Sequence, residues 1–89
     1  MKAVVTVVGK DRVGIIAAVC MQLAEYNVNV LDISQTVMQG YFTMMMVVDV
    51  SASNIPVAEL AQKLDEKGKE MSLSIRLQRE DIFEAMHRV

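Results

Sequence analysis

Ala3-Val4-Val5-Thr6-Val7-Val8, running directly into Gly9-Lys10-Asp11-Arg12-Val13-Gly14-Ile15, is the stretch around which the rest of the chain is arranged. The first six residues are apolar apart from Thr6 and β-branched apart from Ala3, which suits a strand. The next seven are polar or glycine for the most part, and apolar residues at helical spacing follow them. A strand therefore stops, the chain turns and a helix starts within one short segment. A helix beginning there leaves its first N–H groups unpaired and its positive dipole end exposed. That arrangement suits a carboxylate or a phosphate.

Working outward, the strand spans about Lys2–Val8. With Val4, Val5, Val7 and Val8 apolar on both parities, it reads as a central strand covered on both sides. The helix runs from about Val13 to Tyr26, with Val13, Ile16, Ala17, Cys20, Leu23 and Ala24 on one face. Asp11 or a neighbour caps its start, and Asn27 ends it. A half-exposed second strand follows over Asn29–Met38, with Leu31, Ile33 and Val37 on one parity and Asp32, Ser34 and Thr36 on the other. Gln39-Gly40 is a hairpin turn into a third strand, Tyr41–Val50. There Phe42, Met44, Met46, Val48 and Val50 face one way, and Tyr41, Thr43, Met45, Val47 and Asp49 the other.

After the loop Ser51–Asn54, Ser53 or Asn54 caps a second helix with Pro56 in its first turn. Val57, Leu60, Ala61 and Leu64 form its buried stripe and Gly68 closes it. A fourth strand covers Met71–Arg79. The element order is β-α-β-β-α-β. Residues 1–79 thus form an α+β, ferredoxin-like sandwich, an antiparallel four-stranded sheet with two helices on one face. Residues 80–89 form a helical tail with Ile82, Phe83, Met86 and Val89 on one side.

Eighty-nine residues make one domain, and a hydrophobic share of 53% is enough to fill its core. A net charge of −2, with no basic run, argues against nucleic acid as a partner. No apolar run reaches the ~20 residues of a membrane helix, and Met1-Lys2 leads straight into strand sequence without a leader. The single cysteine, Cys20, forms no internal disulfide and lies on the expected buried stripe, so packing suits it better than nucleophilic chemistry. A cytoplasmic protein is expected. Met44-Met45-Met46 cannot converge on one ion, because successive strand side chains face opposite sides; the run reads as core filler. Neither metal nor cofactor is expected. No carboxylate pair, Ser-His-Asp set or Cys-His pair is visible, and His87 in the tail has no catalytic partner, so no enzyme is expected. The first strand lacks the aromatics of an RNA-recognition module, the first turn lacks the paired cysteines of a metal carrier, and no Gly-Lys-Ser/Thr closes a phosphate loop.

Asp11-Arg12-Val13-Gly14-Ile15, the helix after it, and Glu25-Tyr26-Asn27-Val28-Asn29-Val30-Leu31-Asp32-Ile33 together resemble the ACT domain, over about residues 2–79. Many members have proline where Val13 stands. A chain of this length with no catalytic domain looks like the stand-alone bacterial members. The resemblance implies a regulatory module that binds an amino acid between two domains and controls a metabolic enzyme. One domain would supply the turn, Asp11, Arg12, Val13, Gly14 and Ile15. The other would supply the strand start, Asn27, Asn29, Val30 and Leu31.

The chemistry suits those roles. Gly14 allows close backbone approach, the N–H groups from Val13 to Ile15 can hold an α-carboxylate, and Asn29 can both accept and donate. Asp11 can pair with an ammonium and Arg12 can grip a carboxylate. Plainer roles stand beside these. Gly14 can serve helix–sheet packing, Asp11 can be a cap, Arg12 a solvated charge and Asn27 a helix terminator. The second strand lies at a sheet edge with no proline or lysine to guard it. The family's habit of joining sheets side by side implies a homodimer. The open sheet face carries Met45 and Val47 beside Thr6, Thr43, Ser72 and Ser74, with the tail over part of it. The alternatives are a protein-interaction adaptor without ligand, and an acylphosphatase-like hydrolase in which Arg12 cradles phosphate.

Overall fold

The computed structural model describes residues 1–81. Its elements are β1 (Lys2–Lys10), α1 (Ile15–Glu25), β2 (Asn29–Met38), β3 (Tyr41–Asp49), α2 (Val57–Met71) and β4 (Ser74–Arg79). The sheet order is β2-β3-β1-β4 with every neighbouring pair antiparallel, and the fold is the expected ferredoxin-like sandwich. Glu80 and Asp81 leave β4 in helical conformation. The remainder of the expected tail, 82–89, including His87, lies outside the described residues.

Register builds the core. Val5 stands opposite Met46, and Val7 opposite both Met44 and Ile75. Ala3, Val5, Val7, Met44, Met46 and Val48 are therefore on one face, and all are fully buried. Ile15, Val19 and Leu23 of α1 and Leu60 and Leu64 of α2 close over them. Each large apolar side chain so buried contributes ~1.5–3 kcal/mol. On the opposite face Val4 is buried, Thr6 half-buried and Val8 exposed, so β1 is covered on both sides only at its first half. The third strand alternates as expected. Met44 and Met46 point into the core and Met45 out of it.

Several local expectations need correction. α1 begins at Ile15, not Val13, and its buried stripe is Ile15, Val19 and Leu23. Val13, Ile16, Ala17 and Ala24 are exposed and Cys20 is half-buried, so of the expected face only Leu23 is buried. No side chain caps α1 or α2. Ser53 Oγ instead accepts from the Ile55 N–H and donates to the Ile55 carbonyl. Asn54 N–H donates to the Tyr26 carbonyl, which stitches the loop to the end of α1. Pro56 is the residue before α2 rather than a member of its first turn. Gly68 does not end α2. The helix continues to Met71 and closes through Ser72, at φ 58°, with the Leu73 N–H bonded back to the Gly68 carbonyl at 2.7 Å. A Cβ on Gly68 would lie 2.7 Å from the Leu73 carbonyl oxygen, so glycine is there for close approach to β4. β4 accordingly starts at Ser74 instead of Met71.

Candidate functional site

β1 runs through Lys10, and four residues carry the chain into α1. Gly14 stands immediately before the helix at φ 94°, a conformation that side-chain-bearing residues avoid. A Cβ there would meet no atom of the described residues within 4 Å, so the backbone angle, not helix–sheet packing, demands the glycine. Asp11 does not cap the helix. Its backbone N–H donates to the Gly40 carbonyl at 2.8 Å, which pins the bend to the tip of the β2–β3 hairpin, where Gln39 and Gly40 both have positive φ. Arg12 is not a freely solvated charge, because its Nη2 donates to the Met71 carbonyl at the end of α2, where the dipole is negative. Val13 is fully exposed at the tip of the bend, and Ile15 is anchored in the core at 2% exposure.

A cavity of about 300 Å³ opens between this bend and β2, lined by Asp11, Arg12, Gly14, Ile15, Ile16, Ala17, Gln35, Val37 and Phe42. Of these, Ile16, Ala17, Gln35, Val37 and Phe42 were not anticipated as site residues. For Gln35 the sequence held a signal, since it is a polar residue in the otherwise apolar series Ile33, Gln35, Val37.

The other candidate cluster sits at the far end of α1. Asn27 ends the helix at φ 61°, and its Nδ2 donates to the Ala52 carbonyl at 3.0 Å, so its side chain is engaged within the chain. Asn29 is exposed and pairs in register with Asp49. Val30 is packed against the core, and Leu31 occupies a bulge in the β2–β3 ladder with 46% exposure. Ala24, Asn27, Val28 and Asn29 line a second cavity of about 220 Å³. Beside it the Asp49 carboxyl is held below its ordinary range, first by the Ser51 backbone N–H at 2.9 Å and then by the Ser51 hydroxyl. An eleven-residue helix is about 16 Å long, so within one chain the bend and the β2 start do not meet.

A family model described as the ACT domain matches residues 2–78, the whole of this sheet-and-helix unit. The chain belongs to the ACT domain family. ACT domains are typically regulatory modules that bind amino acids. A UPF0237 protein of Clostridium acetobutylicum is 55% identical over 89 residues, covering 100% of both chains. An ACT domain protein from Streptococcus pneumoniae shares the structure with a TM-score of 0.82 at 45% identity, over 98% of each chain. The regulatory subunit of aspartate kinase from Thermus thermophilus, in a ligand-free form, matches with a TM-score of 0.68 at 25% identity, over 89% of this ACT domain and 51% of that chain. Among the described residues of this ACT domain, no helix is long and apolar enough to cross a membrane.

Proposed function

We propose that this ACT domain is a cytoplasmic regulatory module that works as a homodimer, holds an amino acid between subunits, and passes the signal to a metabolic enzyme. The observation that carries this reading is the state of the α1–β2 flank. α1 has no charged residue from Ile15 to Ala24, and it leaves Ile16, Ala17, Met21 and Ala24 exposed. A helix apolar all round belongs in an interior or an interface. Beside it every residue of β2 is exposed except Val30, and among the described residues the strand's outer edge has no neighbour in the sheet. A long unguarded edge next to an apolar helix invites a second copy.

Pairing β2 with its own copy about a two-fold axis is antiparallel, and so is the pairing of α1 with α1. That symmetry sets the N-terminal end of one α1 against the C-terminal end of the other. The bend of one subunit then faces Asn29, Val30 and Leu31 of its partner, which closes the 16 Å gap. In that pocket the uncapped N–H groups from Val13 to Ile15 take the α-carboxylate, and Asn29 and Asp11 take the ammonium. Arg12, tied to Met71, shapes the mouth. That tie also disfavours the hydrolase alternative, which needs the guanidinium free to hold phosphate. Asn27 positions the β2 start through its bond to Ala52.

The test combines light scattering after size exclusion with a thermal-shift screen of the twenty amino acids. A dimer whose Tm rises with some amino acids, and whose response weakens in Asn29→Ala, is expected. A monomer at micromolar concentration overturns the shared pocket. A dimer silent to every amino acid leaves the adaptor.

A further inference from the structure

The cavity beside the bend contains a residue suited to reading the ligand's side chain. Ile33, Gln35 and Val37 of β2 stand opposite Met46, Met44 and Phe42 of β3, all three of which are buried on the helix side of the sheet. Two of these three β2 residues are apolar, as that face demands, and the middle one is not. Gln35 is exposed, and its amide has no hydrogen-bond partner among the described residues. It lines the 300 Å³ cavity together with an apolar wall of Ile15, Ile16, Ala17, Val37 and Phe42. The two charged lining groups, Asp11 and Arg12, lie at the bend, where an amino acid's α-groups would sit.

Building on the amino-acid reading of the bend, we propose that the ligand's side chain is neutral and hydrogen-bonding, a carboxamide or a hydroxyl, and that Gln35 is the specificity-determining residue that pairs with it. A glutamine amide offers two donors and an acceptor, so it can exchange two hydrogen bonds with a second carboxamide. A leucine side chain in the same place would cover the Gln35 amide with hydrocarbon and leave it unpaired. A carboxylate or ammonium side chain would lose water against isoleucine and phenylalanine, while the charged lining groups stay at the bend, Arg12 tied to the Met71 carbonyl and Asp11 beside the ligand's own ammonium. The cavity volume is at the small end of ligand pockets, which fits a single amino acid.

Titration calorimetry on the full chain tests the assignment with two nearly isosteric pairs, asparagine against leucine and glutamine against methionine, plus aspartate and glutamate. The amides should bind roughly tenfold tighter than their apolar partners. Gln35→Leu and Gln35→Met should reverse that order while leaving the Tm of the unliganded protein within a few degrees. If the wild type ranks leucine or methionine level with or above its amide, or if both variants keep the wild-type order, Gln35 does not set specificity, and binding at the bend stands without it. If no amino acid binds the wild type, the bend reading fails together with the proposal.

Discussion

Helices α1 and α2 lie on the same face of one sheet and bury similar stripes, Ile15, Val19 and Leu23 in the first and Leu60, Leu64 and Gly68 in the second. Their other faces differ. α2 turns Glu59, Asp65, Glu66, Lys69 and Glu70 to water, and Lys69 pairs with Asp65 at 3.3 Å one turn away. α1 turns Ile16, Ala17, Met21 and Ala24 outward and carries no acid in its first turn and no base in its last. The strands beside them repeat the contrast. β4 is a six-residue edge carrying Arg76 and Arg79, whereas β2 is a ten-residue edge whose single charge is Asp32. The α2–β4 flank is finished for solvent, and the α1–β2 flank has the composition of a surface that meets protein. A fold can thus be complete as a core and still leave one side apolar.

The largest effect should come from the finished flank. Gly68→Val drives a Cβ onto the Leu73 carbonyl, and the backbone cannot yield without shifting β4. A loss of ~3 kcal/mol or more in urea unfolding is expected. The unfinished flank should respond in assembly instead. Val37→Lys places a charge on the β2 edge, which should weaken the proposed dimer by about a hundredfold, roughly 2.7 kcal/mol by sedimentation, with little change in monomer stability. Gln62→Lys on exposed α2 should change neither quantity, and equal responses from the two variants would erase the contrast between flanks.

Gly14→Ala comes next. It meets no neighbouring atom, so its cost of about 1–2 kcal/mol is the left-handed backbone alone, and it should also remove amino-acid-induced shifts in Tm. The smallest effect concerns Asp49. Its carboxyl pKa is lowered from 3.8 by Ser51, so its contribution is complete above that value and is lost as pH falls through the lowered pKa. Asp49→Asn should flatten the acid limb of a Tm-against-pH curve below pH 3.8 and leave the neutral region nearly unchanged.

Much of this contrast was readable from the chain, but its most informative part was misread. The face Val13, Ile16, Ala17, Cys20, Leu23 and Ala24 is a regular helical stripe, yet most of it is outside. Because α1 is apolar all round, two stripes interleave, and periodicity cannot say which one the sheet takes. The stripe that the pattern picked out is rotated away from the buried one and shares only Leu23 with it. The caps failed for a related reason. Ser53, Asn54 and Asp11 have cap chemistry, but Ser53 Oγ is taken by Ile55, Asn54 Nδ2 donates to the Glu25 carbonyl, and the later start of α1 puts Gly14 rather than Asp11 at the cap position. Of the candidate site, Gly14 and Asn29 kept an open role, whereas Arg12 and Asn27 proved to be engaged with distant backbone.

Alternation and turn chemistry alone determined the element order, the bounds of β2, the in-and-out pattern of β3, the hairpin at Gln39-Gly40 and the helix stop at Asn27. Each depends on residues within a few positions of one another, and such local preferences survive in any context. Tertiary structure decided the face of α1, the close approach at Gly68, the tie from Arg12 to Met71 and the placing of Gln35 beside the bend. Those depend on residues brought together from across the sheet, where whichever surface buries the most apolar area without stranding a polar group prevails.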